Sequence, residues 1–119
     1  MDVVGSPEHV ALAKKAAAES IVLLKNEGGL LPLRAGSVKV AVLGPQANDS
    51  LVLLGNYHGR SKAGVVTPLQ ALQSRLGAAN ASYAAGCNGV VGDGAWPWGD
   101  AVAKARAADV ALIFVGTSR

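Results

Sequence analysis

The loop from Gly55 to Arg60 carries side chains suited to a ligand rich in hydroxyl groups. The ring of Tyr57 can stack on the apolar face of a sugar, and Asn56, His58 and Arg60 can hydrogen-bond to hydroxyls. The same residue types are also common where one domain packs on another, with Tyr57 in the interface and Arg60 in solvent. The sequence therefore predicts Tyr57, His58 and Arg60 as substrate-binding residues and leaves interface packing open as the more common use.

Carboxyl groups could supply acid–base chemistry, but no catalytic pair can be assigned. Hydrolysis of a glycosidic bond with retention of configuration needs two carboxyl groups about 5 to 5.5 Å apart. We expect Asp100 to cap a helix and Asp109 to be solvated before a strand, while Asp49 and Asp93 lie in loops without an assignable partner. The eight acids are Asp2, Glu8, Glu19, Glu27, Asp49, Asp93, Asp100 and Asp109. We predict no catalytic residue in this chain.

Metal and cofactor sites are not predicted either. Cys87 is the single cysteine, no second Cys or His lies at a zinc-like spacing, and no motif links His9 with His58. The glycine-containing loops 44–48 and 89–94 match neither the dinucleotide fingerprint nor the P-loop. In the first of them, Pro45 also lacks the backbone N–H that a phosphate cradle needs. We expect Cys87 to be a buried or loop thiol.

Trp96 and Trp98 flank a proline in a glycine-containing loop. Two such indoles can form a platform on which a sugar stacks, or a hydrophobic lid over the edge of a sheet. The lid is favoured because tryptophan is highly buried on average.

The composition indicates one folded domain. The chain has 119 residues, of which 50% are hydrophobic and 16% are charged, and a formal net charge of +3. The hydrophobic content suffices for a core, and the small, dispersed positive charge argues against nucleic acid as a partner. No apolar run approaches the roughly 18 residues that a membrane span requires.

The order of the predicted elements is that of an α/β sandwich. Ser6 and Pro7 begin a leading helix whose apolar stripe continues to Leu24, and the glycine pair after residue 27 is expected to end it. The predicted elements that follow are a buried strand at 38–43, a helix from Thr67 to Gly77, a strand at 81–84, a helix from Asp100 to about residue 107, and a strand at 110–116. Alternation of strands and helices predicts βαβ units in a three-layer sandwich with a mostly parallel sheet. The last strand lies so close to residue 119 that we expect a truncated domain with an unprotected edge.

Three segments resemble the C-terminal α/β sandwich domain of family 3 glycoside hydrolases, the β-glucosidases and β-xylosidases. They are Glu19-Ser20-Ile21-Val22-Leu23-Leu24-Lys25-Asn26, Leu43-Gly44-Pro45-Gln46-Ala47-Asn48, and the stretch from Asn56 to Leu72, which is similar to the β-xylosidase-like branch. The resemblance implies that residues 1–119 are the first part of this domain, with a leading helix over 1–28 and the sheet and helices over 38–116. It also implies that both catalytic carboxylates lie outside the chain, the nucleophile in a preceding barrel domain.

The function implied by this resemblance is part of a retaining enzyme that removes β-D-xylosyl or β-D-glucosyl residues, with xylosyl favoured. The expected partners are the missing barrel and a β-linked oligosaccharide, and the chain alone is expected to be inactive. Two Asn-X-Ser triplets, at Asn48 and Asn80, weakly favour a secreted parent protein. The alternative is a free-standing binding or interaction module with a Rossmann-like or flavodoxin-like sheet.

Overall fold

The structure is a computed structural model that describes residues 3–34, 36, 38–59, 64–87, 96 and 98–116. The chain divides into two compact units, Met1–Leu33 and Arg34–Arg119. Each unit is described by itself below. The first contains one α-helix, and the second contains a parallel sheet with a helix on each face.

Helix α1 spans Pro7–Ser20 in the first unit. It begins as predicted, because the Ser6 hydroxyl accepts a hydrogen bond from the His9 N–H at 3.3 Å and Pro7 occupies the first turn. Glu8 lies in the same turn, and hydrogen bonds to its own backbone and to Ser6 lower the pKa of its carboxyl group.

The predicted end of the leading helix was wrong. The helix stops at Ser20, and Ile21 is already extended, with φ −80° and ψ 126°. The Ser20 hydroxyl donates to the Ala17 carbonyl at 2.8 Å, and Ile21 and Val22 are β-branched residues that helices disfavour. The side chain of Asn26 then bonds both backbone groups of Leu31, at 2.9 and 3.0 Å, and so closes a loop instead of lying on a helix face. The glycine pair has positive φ, as expected, but it lies in the short 3-10 turn Glu27–Gly29.

The second unit is built on a three-stranded parallel sheet in the order β2-β1-β3. Strand β1 spans Val40–Leu43, β2 spans Ala81–Ala84 and β3 spans Val110–Ile113. Val40 is aligned with Ala81 on one side and with Val110 on the other. All four residues of β1 are buried, which confirms the prediction of a strand covered on both faces. Both β1 and β3 are shorter than predicted.

Two helices cover the sheet. Helix α3, at Trp98–Ala107, buries Ala101 against Ala41, Leu43 and Ala84 on one face. Val40 and Val42 point to the opposite face, because side chains alternate along a strand, and they are 1% and 0% exposed. Helix α2, at Pro68–Leu76, packs against β2 and supplies the buried Leu69. The predicted α/β sandwich is confirmed.

The start of α2 is fixed by a capping box. The buried Thr67 hydroxyl accepts a hydrogen bond from the Gln70 N–H at 3.3 Å, while the Gln70 side chain accepts from the Thr67 N–H at 2.9 Å. The same hydroxyl also donates to the Asn48 side chain at 3.3 Å. One side chain thus joins the helix to the turn that follows β1.

We expect Thr67→Ala to lower the free energy of unfolding by about 1 to 2 kcal/mol, because it removes the cap and leaves the part-buried Gln70 N–H without its acceptor. Urea denaturation followed by circular dichroism measures the change. Thr67→Ser is the matched control, since it keeps the hydroxyl and should lose less than about half as much. Equal losses in the two variants would show that packing of the methyl group, and not the cap, is what stabilises this position.

Candidate functional site

The carboxyl ends of the three parallel strands meet at one edge of the sheet and border a half-open cleft with a volume of about 310 Å³. We name it the strand-end cleft. Its residues come from the segments that follow β1, β2 and β3 and from the start of α3. They are Leu43, Gly44, Pro45, Gln46, Ala85, Gly86, Cys87, Trp96, Trp98, Ile113, Phe114, Val115 and Gly116. Open α/β sheets bind ligands at this edge, so the strand-end cleft is the candidate ligand-binding site of the second unit.

Gly44 holds the base of the strand-end cleft in place. Its N–H donates to the Ala84 carbonyl at 3.1 Å, and the neighbouring Leu43 carbonyl accepts from the Phe114 N–H at 2.8 Å. Gly44 has a φ of +104°, and a Cβ atom there would lie 2.1 Å from the Phe114 carbonyl oxygen. Only glycine fits at this position. The close approach of Phe114 therefore explains the glycine before Pro45, and no phosphate cradle is needed to explain it. The residues that follow form the 3-10 turn Pro45–Asn48, not the helix of a dinucleotide site.

The two tryptophans form one side of the cleft. Their ring centroids are 5.6 Å apart and their planes differ by 13°, so the indoles are stacked on each other. Trp98 remains 58% exposed. The pair therefore lies at the carboxyl edge of the sheet, as a lid would, but it is more open than the buried lid that the sequence favoured.

Besides the indole N–H groups of the two tryptophans, the polar side chains in the described lining of the cleft are those of Gln46 and Cys87. Cys87 is a half-buried free thiol on the segment after β2, in agreement with the predicted loop thiol. Burial raises the pKa of the nearby Tyr83 hydroxyl, and the charges of Cys87 and Asp49 raise it further. No charged residue lines the cleft among the residues that the structure describes.

The predicted substrate-binding loop lies apart from the cleft lining. Tyr57 is fully exposed, at 103% of its reference surface, and His58 is also exposed. A His58 ring nitrogen, Nδ1, lies 3.0 Å from the Gly59 carbonyl oxygen, within hydrogen-bonding distance. Arg60 lies outside the described residues. The structure thus presents Tyr57 and His58 to solvent without bringing them to the tryptophan pair.

The acidic residues that the structure describes have structural partners. Asp49 accepts hydrogen bonds from the N–H groups of Leu51 and Val52, at 2.8 and 3.3 Å. Asp93 lies outside the described residues. No group of three or more His, Cys, Asp or Glu side chains capable of holding a metal occurs within the described segments.

One structural role assigned to an acid from the sequence was wrong, and a second is extended by the structure. Asp100 is not the N-cap of α3, because the helix begins two residues earlier, and its carboxylate pairs with Lys104 one turn on. Asp109 is exposed before β3, as predicted, and it also bonds the backbone: its carboxylate accepts from the Lys39 N–H at 2.8 Å while its own N–H donates to the Lys39 carbonyl at 2.9 Å. It therefore ties the start of β3 to the segment before β1.

None of the described helices is long and apolar enough to cross a membrane.

Comparison with known proteins identifies similar sequences. The family model described as the glycosyl hydrolase family 3 C-terminal domain matches residues 21–119. The chain is 46% identical over 112 residues to probable beta-D-xylosidase 7 of Arabidopsis thaliana, an alignment that covers 93% of this chain and 14% of that protein.

Two further relatives agree. Beta-D-xylosidase 3 of Arabidopsis thaliana is 38% identical over 94% of this chain, and beta-xylosidase/alpha-L-arabinofuranosidase 1 of Medicago sativa subsp. varia is 40% identical over 95%. The alignment covers 14% of each of these proteins. The chain thus spans about one seventh of the length of the curated relatives that it matches.

Proposed function

The chain belongs to the glycosyl hydrolase family 3 C-terminal domain family, and from this premise we propose that it is one segment of a longer retaining β-glycosidase. The substrates of the parent enzyme are terminal β-D-xylosyl or β-D-glucosyl residues of oligo- and polysaccharides, with β-xylosides preferred. The observation that carries the proposal is the family match over residues 21–119. The β-xylosidase names of the relatives support the preference for xylosides. The free-standing module is not favoured by this membership.

Within the parent enzyme, the role proposed for this segment is to support the catalytic barrel. The four consecutive residues Ile21, Val22, Leu23 and Leu24 have exposed fractions of 78%, 74%, 61% and 92%. Contiguous apolar side chains on a surface are typical of a contact with another protein surface. The much greater length of the relatives supports the proposal that a further domain of the same chain provides that contact.

The proposed contribution to substrate binding comes from Tyr57, His58 and Arg60. Tyr57 and His58 are both exposed, so neither belongs to the sandwich core. A freely presented aromatic ring beside a polar ring suits one wall of a sugar pocket, which the barrel would complete. Packing of Tyr57 on the barrel remains the competing role for the same exposed ring.

The parent protein tests the proposed activity. We expect it to hydrolyse 4-nitrophenyl β-D-xyloside, and proton NMR should show that the first sugar released retains the β configuration. A folded parent protein that hydrolyses neither the β-xyloside nor the matching β-glucoside would contradict the proposal.

The 119-residue chain alone should show no turnover of either substrate above the buffer rate, because no pair of carboxylates can be assigned within it. Release of nitrophenol is followed by absorbance. Asp49→Asn is the matched control, since it removes the loop carboxylate but keeps an acceptor oxygen for the N–H groups of Leu51 and Val52. Turnover by the unmodified chain that disappears in Asp49→Asn would place a catalytic carboxylate here and overturn the prediction.

A further inference from the structure

The proposed function assigns no role to the strand-end cleft. The residues that line the cleft favour one class of ligand. We propose that it binds an uncharged, planar aromatic small molecule, stacked on the Trp96–Trp98 pair. This inference concerns the second unit alone and does not depend on the activity of the parent enzyme.

The dimensions of the cleft suit a molecule of one or two rings. Its volume of about 310 Å³ lies at the lower end of the range of small-molecule pockets, about 300 to 1,000 Å³. Its base is fixed by backbone, because the Gly44 and Phe114 main chains are bonded to adjacent strands. A site with a rigid base needs little reorganisation when a ligand enters.

The aromatic pair indicates the shape of the ligand. The two indoles already adopt a near-parallel stack, with planes 13° apart, and a third flat ring can extend that stack. Trp98 is 58% exposed, and Ile113, the last residue of β3, is 67% exposed. The cleft therefore presents exposed apolar surface both at the tryptophan pair and at the end of β3. Covering this surface with a flat apolar molecule removes it from water, which is the main source of affinity.

The polarity of the cleft indicates the charge of the ligand. The described lining contains no Lys, Arg, His, Asp or Glu, and its polar side-chain groups are the Gln46 amide, the Cys87 thiol and the two indole N–H groups. A charged ligand would lose hydration there without gaining an ion pair from these described residues. A sugar would present several hydroxyls to a lining that is mostly apolar, so the described residues disfavour the sugar platform that the sequence leaves open.

The chain carries its own reporters for this site. Its two tryptophans and its one cysteine all line the cleft. Tryptophan fluorescence and alkylation of the thiol therefore both report on occupancy of the same place, and neither needs an introduced label.

The experiment titrates the 119-residue chain with 4-nitroaniline, which is planar and uncharged at neutral pH. We expect saturable quenching of tryptophan fluorescence with a Kd of about 0.1 to 1 mM, the range that ligand efficiency allows for a molecule of this size. Bound 4-nitroaniline should also slow the alkylation of Cys87 by N-ethylmaleimide, measured by mass spectrometry. The charged analogue 4-nitrobenzoate should bind at least about tenfold more weakly.

Variants locate the site. Trp98→Leu should raise the Kd for 4-nitroaniline about tenfold, because it removes the stacking surface. Leu53→Ala is the matched control, since it removes an exposed apolar side chain outside the cleft and should leave the Kd unchanged. Ile113→Glu is a second variant at an exposed position, and it should weaken binding by placing a charge in the lining. Circular dichroism verifies that each variant is folded.

Four results would overturn the proposal. Quenching that rises linearly without saturation would show collisions only, and equal affinity for 4-nitrobenzoate would show that the lining does not select against charge. Protection of Cys87 by methyl β-D-xyloside but not by 4-nitroaniline would make the cleft a sugar site. Protection that grows with protein concentration in the absence of any ligand would show that a second copy of the chain covers it.

Discussion

Replacing Gly44 by alanine should destabilise the second unit by more than about 4 kcal/mol, or prevent it from folding. The new Cβ would lie 2.1 Å from the Phe114 carbonyl oxygen, 3.1 Å from its carbonyl carbon and 3.3 Å from its nitrogen. These are backbone atoms, and the Phe114 N–H is bonded to the Leu43 carbonyl at 2.8 Å. The clash can be relieved only by separating β1 from β3. Chemical denaturation followed by circular dichroism measures the loss.

Gly77→Ala is the matched control for this prediction. Gly77 has φ 89° and ψ 142°, close to the φ 104° and ψ 146° of Gly44, so alanine meets a similar backbone strain at both positions. At Gly77 the nearest atom to the new Cβ is the Asn80 Nδ2 at 3.8 Å, an ordinary contact. We expect a loss of about 1 to 3 kcal/mol for Gly77→Ala. Equal losses at both positions would show that backbone conformation alone, and not the close approach of Phe114, demands glycine at Gly44.

The second prediction concerns Tyr57 in the parent enzyme. If its ring forms a wall of the sugar pocket, Tyr57→Ala should lower kcat/KM for short xylosides about 10- to 100-fold, because it removes both the apolar burial of the ring, about 1.5 to 3 kcal/mol, and the stacking contact. The melting temperature should hardly change. Steady-state kinetics and calorimetry on the parent enzyme measure the two quantities, and Tyr57→Phe is the control that keeps the ring.

The structure makes the outcome of this experiment easier to interpret. Tyr57 is fully exposed in the 119-residue chain, so Tyr57→Ala should change the stability of that chain by no more than about 0.5 kcal/mol. Any larger loss of stability in the parent then reports packing against the rest of the enzyme. A loss of about 2 to 4 kcal/mol with unchanged kcat/KM would contradict the pocket-wall role and establish interface packing instead.

The sequence predicts best those helices and strands whose first and last residues are both marked by capping or turn-forming residues. Thr67 and Pro68 begin α2 and Gly77 ends it, and the structure places the helix between them. The strand at residues 81–84 was predicted with its observed bounds. The end of α1 was missed because apolar residues continue at helical spacing through Leu24. Periodicity cannot show that Ser20 and Asn26 bond to the backbone in ways that compete with the helix.

The candidate site was only partly predictable for a different reason. The sequence indicates a platform or a lid for the tryptophan pair and a loop thiol for Cys87. It does not indicate that these three side chains line the same cleft. Their proximity depends on the strand order, which brings together Leu43, Ala85 and Phe114 from distant parts of the chain. The clash at Gly44 depends on the same pairing, since its partner is 70 residues away along the sequence. The spacing of residues within one segment does not predict contacts between segments that are distant in the sequence.

The strand order also sets the time at which this sheet can assemble during synthesis. The central strand β1 is made first, yet its partners follow about 40 and 70 residues later, as the pairings of Val40 with Ala81 and Val110 require. At about 5 to 20 residues per second, the ribosome needs roughly 4 to 14 s to add the second partner. Throughout that interval the most buried strand of the unit lacks one or both neighbours. We expect pairings this far apart in the sequence to slow folding and to leave Val40–Leu43 open to non-native contacts until both partners are made.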